Sequence, residues 1–235
     1  MGTDYESIYR ERAADYDRLV SAEDCDGNLL PAIERVTPLA GARVVEVGVG
    51  TGRVTRLLVS KGALVIGFDR SEAMLAIARR RLAEVSATGW EVRCADAQEL
   101  PVASSSADLA IAGWVFGHLR SWNADEWRQA IGRGLDEMAR AVRPGGALIL
   151  IETLGTGSEV PRPPSPELAE YYDWLEGDRG FTREALRTDY LFPDAETAAG
   201  VMGFFFGEAF VDRIRGERWT RVPECTGLWW RRQED

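Results

Sequence analysis

The chain has 235 residues and is 45% hydrophobic, the size and make-up of one α/β domain with additions. Its 38 acidic and 28 basic residues leave a net charge of −10, which argues against broad contact with nucleic-acid phosphates. Three scattered cysteines (Cys25, Cys94 and Cys225) argue against a disulfide frame, and a single histidine argues against protein-ligated zinc. No apolar run reaches the ~18 residues of a membrane span, and Met1 to Arg12 lacks the apolar stretch of a secretory signal, so a cytoplasmic protein is expected.

The first forty residues read as helical. Tyr5, Ile8, Tyr9, Tyr16, Leu19 and Val20 recur at helical spacing, and a second short helix near Asn28 to Val36 stops before Pro38. Strands and helices then alternate. Arg43 to Val47 is a strand and Thr51 to Ser60 its helix. Leu64 to Phe68 is a strand, followed by a helix from Ser71 to Val85 with Ser71 as N-cap. Glu91 to Cys94 and Asp108 to Ala112 are strands, and about Ala124 to Val142 is a helix. A turn at Arg143-Pro144-Gly145-Gly146 leads to the strand Ala147 to Glu152. This alternation predicts a doubly wound parallel sheet with helices on both faces. Beyond Thr153 the composition shifts. Gly155 to Pro166 reads as a loop, Glu167 to Leu175 and Thr182 to Leu186 as short helices, and Thr188 to Phe192 as a strand. Ala195 to Phe210 reads as one helix, and Trp219 to Val222 with Gly227 to Arg231 supplies the last strand.

The first strand runs into Glu46-Val47-Gly48-Val49-Gly50-Thr51-Gly52, a glycine-rich turn before a helix. Glycine lets the backbone approach a ligand and take positive φ. The pattern is GxGxG, and Arg53 stands where a dinucleotide enzyme packs a glycine against a pyrophosphate, so a ligand without pyrophosphate is favoured. Asp69, followed by Arg70, ends the second strand, where a carboxylate can accept both hydroxyls of a ribose. Asp96-Ala97 follows the third strand. Gly113 to Leu119 follows the fourth, at the strand end where reacting groups collect in open α/β sheets. His118 in that segment is the natural proton acceptor by its ordinary pKa, or a residue that supports the loop.

In these motifs, over roughly residues 40 to 152, the chain resembles the class I S-adenosylmethionine (SAM) dependent methyltransferases of the bacterial small-molecule type. The resemblance implies a Rossmann-like sheet of seven strands, the seventh antiparallel and inserted beside the fifth. Thr188 to Phe192 and Gly227 to Arg231 would be the sixth and seventh. It implies a single domain: a helical cap over 1–40, a cofactor-binding core over 41–153, and a substrate-side helical insertion with the C-terminal strands over 154–235. SAM would be held by Glu46, Gly48, Gly50, Gly52, Asp69, Arg70, Asp96, Ala97, Tyr16 and Trp114, with S-adenosylhomocysteine as product and no metal. Tyr16 either bonds the methionine carboxylate or packs an aromatic helix face on the sheet. The expected acceptor is an oxygen or nitrogen of a small molecule, with His118 as the catalytic candidate, and the chain a monomer or homodimer. RNA or protein as acceptor would rest on Arg79-Arg80-Arg81, which reads better as a solvated helix face. A SAM-binding protein without transfer activity is a third reading. In the C-terminal part Glu224 either reaches the pocket or is a loop acid, Cys225 lacks a partner, and Phe204 to Phe206 read as core.

Overall fold

Apolar strands that bury both faces set the architecture. In the computed structural model, which describes residues 5–122 and 125–234, they form β1 (Arg43–Val47), β2 (Leu64–Asp69), β3 (Trp90–Cys94), β4 (Ala107–Gly113) and β5 (Val142–Thr156). Met1 to Asp4 and the expected helix start at Ala124 lie outside the described residues. The sheet is completed by β6 (Thr182–Arg187) and β9 (Glu224–Arg232), while β7 (Tyr190–Leu191) and β8 (Arg221–Val222) pair separately. The order is β3-β2-β1-β4-β5-β9-β6, seven strands in all. β1 to β5 run parallel, and β9 is antiparallel to both neighbours, with Leu150 opposite Trp229 and Leu186 opposite Thr226.

Strand periodicity divides the core. Val45, Val47, Leu148 and Leu150 face α7 (Trp127–Ala141) and α8 (Pro166–Gly177). Val44, Ile111, Ile149 and Ile151 face α3 (Leu29–Val36) and α4 (Arg53–Ser60). Burying one such aliphatic side chain contributes about 1.5–3 kcal/mol. α5 (Glu72–Val85) is capped by Ser71, whose hydroxyl accepts the Met74 N–H. α1 (Tyr5–Glu11) and α2 (Ala13–Ser21) lie over the strand ends. α2 also joins a smaller core with α9 (Ala195–Phe206) and α10 (Glu208–Glu217), through Leu19, Met202 and Ile214. No helix among the described residues is long and apolar enough to cross a membrane.

Five expectations are corrected. Thr182 to Leu186 is not a helix but the sixth strand, and Thr188 to Phe192 gives only the short β7. The sequence Thr182-Arg183-Glu184-Ala185-Leu186 shows no apolar alternation because β6 is an edge strand, mostly exposed or half-buried. Its state is set by its ladder with β9. The helix expected over Ala195 to Phe210 breaks at Gly207, whose φ of +82° ends α9 and starts α10. The segment after β4 is not a loop throughout: α6 (Phe116–Trp122) forms there. Glu224 is no loop acid; it opens β9 and is buried.

Candidate functional site

The carboxyl ends of β1 to β4 open on one cavity of about 620 Å³. Gly48, Gly50, Asp69, Arg70, Asp96, Ala97, Trp114, Tyr16 and His118 all line it. The turn after β1 forms because Gly48 and Gly50 take φ of +71° and +56°. A Cβ at Gly48 would run into the Val115 side chain, so the turn and the segment after β4 fit together only without one. A Cβ at Gly50 would meet no protein atom within 4 Å.

Asp69 ties this turn to the next one. Its Oδ2 accepts the Gly50 N–H and its Oδ1 the Ser71 N–H, each at 2.8 Å. Burial raises its pKa against the pull of these bonds. Each oxygen keeps a lone pair for a hydroxyl donor. Asp96 Oδ1 accepts the Gln98 N–H at 2.8 Å. The Arg70 guanidinium lies 4.5 Å over the Trp122 ring, which stacks on His118.

His118 joins the covering helices to α6: Tyr9 Oη and His118 Nε2 are 2.7 Å apart. Desolvation, then the nearby Arg70 charge, lowers its pKa to about 4. The imidazole is therefore neutral at neutral pH and a poor proton acceptor there. Tyr16 meets Tyr9 edge-on, and desolvation raises its hydroxyl pKa, keeping it protonated.

Two expected cofactor residues stand apart from the cavity. Strand alternation turns Glu46 to the same face as Val44, toward α4, where its Oε2 accepts the Thr55 hydroxyl at 2.7 Å. Burial pushes its pKa up to about 8. Gly52 sits below the cavity as the cap of α4, with φ +86°; a Cβ there would pack at 3.5 Å on Ala78 and Leu82. Glycine is needed there for the left-handed φ that caps α4, since a Cβ would make only ordinary contacts.

Other residues shape the site without a sequence motif. Glu152, near the end of β5, accepts the Gly117 N–H at 2.9 Å and so seats α6. Burial raises its pKa to about 8. Trp114 takes φ +55° and donates its N–H to the Ile151 carbonyl at 2.6 Å. Arg53 stacks 3.9 Å over the Trp114 ring and pairs with Glu23 at 2.7 Å. These contacts join residues distant in sequence; only Trp114, as an expected cofactor residue, and Arg53, as the misfit in the glycine pattern, left a trace.

Residues 45–150 match the methyltransferase domain family. A demethylmenaquinone methyltransferase of Clavibacter sepedonicus is 34% identical over 170 residues, covering 71% of this chain and 62% of that protein. A biotin biosynthesis bifunctional protein of Cellvibrio japonicus is 32% identical over 156 residues, covering 65% of this chain and 27% of that protein. The chain therefore spans less than two thirds of the length of either relative. A SAM-dependent methyltransferase structure from Aquifex aeolicus superposes with a TM-score of 0.53 at 16% identity, covering 85% of this chain and 87% of that one, a likeness of fold. Residues 45–150 thus resemble a methyltransferase domain, the relatives are similar over part of their length, and the fold is like that of the Aquifex aeolicus structure.

Proposed function

We propose that the protein transfers a methyl group from SAM to an oxygen or nitrogen of a small molecule, and that residues 1–235 act as one domain. The observation that carries this is the cavity itself. Glycine turn, Asp69 and Asp96 share it, and Tyr9 and Tyr16 of the N-terminal helices form part of its wall. An acceptor that must fit beneath these helices is a small compound, not a folded surface or an RNA strand. The arginine run on α5 supports the same choice: Arg79 pairs with Glu72 and Arg81 with Asp17, which offsets charge that RNA would need.

The residues present suit SAM. Asp69 has lone pairs for two ribose hydroxyls, Asp96 offers an acceptor for an exocyclic amine, and the open side of Gly50 admits a ligand close to the backbone. SAM supplies an activated methyl on a sulfonium that already contains the leaving group. The protein's part is to hold the acceptor in line and to exclude water. Trp114, held by Arg53 on one side and by its N–H bond to β5 on the other, gives the site a fixed aromatic wall. His118 serves to bridge Tyr9 and α6 rather than to move a proton. The test uses SAM with a labelled methyl, incubated with the protein and with cell extract divided into small-molecule, RNA and protein fractions. Label in the small-molecule fraction is expected. Label only in RNA or protein would overturn the choice of acceptor, and SAM bound without any transfer would favour a non-catalytic SAM-binding protein.

A further inference from the structure

The sheet ends at β3, and that edge is open. β3 is the terminal strand of the order, with an unbroken register on β2. In a parallel ladder the main-chain groups of alternate residues turn to the neighbouring strand. Gly89 accepts the Val65 N–H at 2.8 Å, and Ala95 donates to the Asp69 carbonyl at 3.2 Å. Glu91 and Arg93 therefore turn their main-chain groups to β2, and Trp90, Val92 and Cys94 turn theirs outward. Among the described residues one contact reaches that outward row. The half-exposed Arg79 guanidinium lies 3.5 Å from the Val92 carbonyl, too far for a strong bond, and is already paired with Glu72. Glu91 and Arg93 stand exposed on one face of β3 and pair with each other at 2.7 Å.

Native sheets often guard an open edge with charge. A guard against self-pairing sets like charges against each other when a second copy arrives. β3 does the reverse. A second copy turned about a two-fold axis through Val92 runs antiparallel to the first. Val92 then faces the partner's Val92, Trp90 faces the partner's Cys94, and Glu91 faces the partner's Arg93. The outward amides belong to residues 90, 92 and 94, so these rows are the hydrogen-bonded pairs, with roughly six main-chain bonds in all. Glu91 and the partner's Arg93 form the closer, non-hydrogen-bonded pair, at about 4.5 Å between Cα atoms. On that face the four charges alternate in sign, and opposite charges across strands are favourable. Apolar surface flanks the same edge on both faces. Leu64, 53% exposed, borders a groove of about 400 Å³ with Ile66, Trp90 and Glu91. Val85, 45% exposed, ends α5 on the other face, next to the Ser86 carbonyl that accepts the Trp90 indole N–H.

We propose that β3 is the seam of a homodimer, in which two copies of the seven-stranded sheet join antiparallel across Val92. The strand Trp90-Glu91-Val92-Arg93-Cys94 is complementary in charge to its own reverse, which is the property a two-fold partner needs. The seam is small, so a weak dimer is expected, with a Kd of roughly micromolar order. Past Cys94 the pairing carries Ala95 and Asp96 alongside Gly89 and Thr88 of the other copy. The segment that brings Asp96 to the cofactor cavity thus lies beside the partner. The inference goes beyond the methyltransferase reading and does not depend on it.

The test measures mass by sedimentation over a concentration series reaching about 100 µM. The unchanged chain should pass from monomer to dimer. Glu91→Arg and Arg93→Glu, both at exposed positions, each make the four charges alike and should raise the Kd about tenfold or more. The double swap E91R/R93E restores the alternation and should return the Kd to within about threefold. Disulfide trapping reads the register, in chains whose exposed Cys25 and Cys94 are replaced by serine. Glu91→Cys mixed with Arg93→Cys should cross-link, because the two positions lie opposite at about 4.5 Å. Neither variant alone should do so, because equal positions lie diagonally at about 7–8 Å. A chain that stays monomeric, a dimer indifferent to the charge reversals, or cross-links formed equally by either variant alone overturns the seam. Each of these leaves the methyltransferase reading standing.

Discussion

The two halves of the sheet treat buried acids differently. On the side of β1 to β4, Glu46 is met by Thr55, and both oxygens of Asp69 are met by backbone N–H groups. On the side of β5, β9 and β6, one oxygen of the buried Glu224 has no partner. Both halves bury their strands equally well, with Leu109 and Leu228 fully covered. The contrast therefore lies in the polar groups. Glu46 and Asp69 in the first half have their hydrogen bonds closed by the protein, although Asp17 and Arg53 on that side each keep a buried polar atom unmet, as Glu224 does on the other.

The largest effect expected from this contrast is on cofactor binding. Asp69→Ala removes the acceptor for Gly50 and Ser71 as well as for the ribose, and should weaken SAM by at least ~100-fold in calorimetry, at about 1.5–3 kcal/mol for each charged hydrogen bond lost. Intact affinity in that variant would sink the assignment of the cofactor to this half. Next is Gly48→Ala. The added methyl meets Val115 in a residue already at φ +71°, so urea unfolding should show a loss of about 1–3 kcal/mol. A variant as stable as the parent would mean that the turn and the segment after β4 are not locked together.

The buried acids sharpen the comparison through pH. Glu46, Glu152 and Glu224 have folded pKa values raised to about 8, against about 4.3 in an unfolded chain. Between those values they are protonated when folded and ionised when unfolded. Their contribution is complete below the unfolded value and is lost as pH rises through the folded one. Acids held low by arginines, such as Asp108 beside Arg143, act only at more acidic pH. The urea midpoint should thus fall between pH 5 and 8, and Glu152→Gln should reduce that slope by roughly a third. An unchanged slope would show that Glu152 ionises as freely in the fold as outside it. The smallest effect belongs to the cover: Tyr9→Phe removes the contact to His118 and should cost about 0.5–1.5 kcal/mol. Faster amide exchange in α1, with SAM affinity little changed, is the expected reading. A large loss of affinity would make Tyr9 part of the cofactor site.

The β1 to β4 half was largely legible in the sequence. Its strands are continuous apolar runs, its turn is written in glycines, and Asp69 and Asp96 fall at strand ends fixed by those runs. Glu46 turns away from the cavity because the motif names an acid without saying which face of the strand it takes; its neighbours Val44 and Val45, facing α4 and α7 respectively, carry that information. The other half was less legible. β6 lacks alternation because one edge is exposed, and α6 depends on Glu152, which lies on a different strand. Glu224, Glu23 and Arg53 meet only through the fold. No spacing in the chain links residues 23, 53 and 224.

The place of β9 bears on how the molecule is made. β6 reaches the sheet only through β9, so residues 182–187 have no ladder to join until residues 224–232 have left the ribosome. Until then β5 presents a bare edge of Leu148, Leu150 and their unpaired amides, the kind of surface on which nascent chains stick to one another. Slowed translation between those two segments should raise the demand for chaperones, which should end once β9 has left the ribosome and covered the edge.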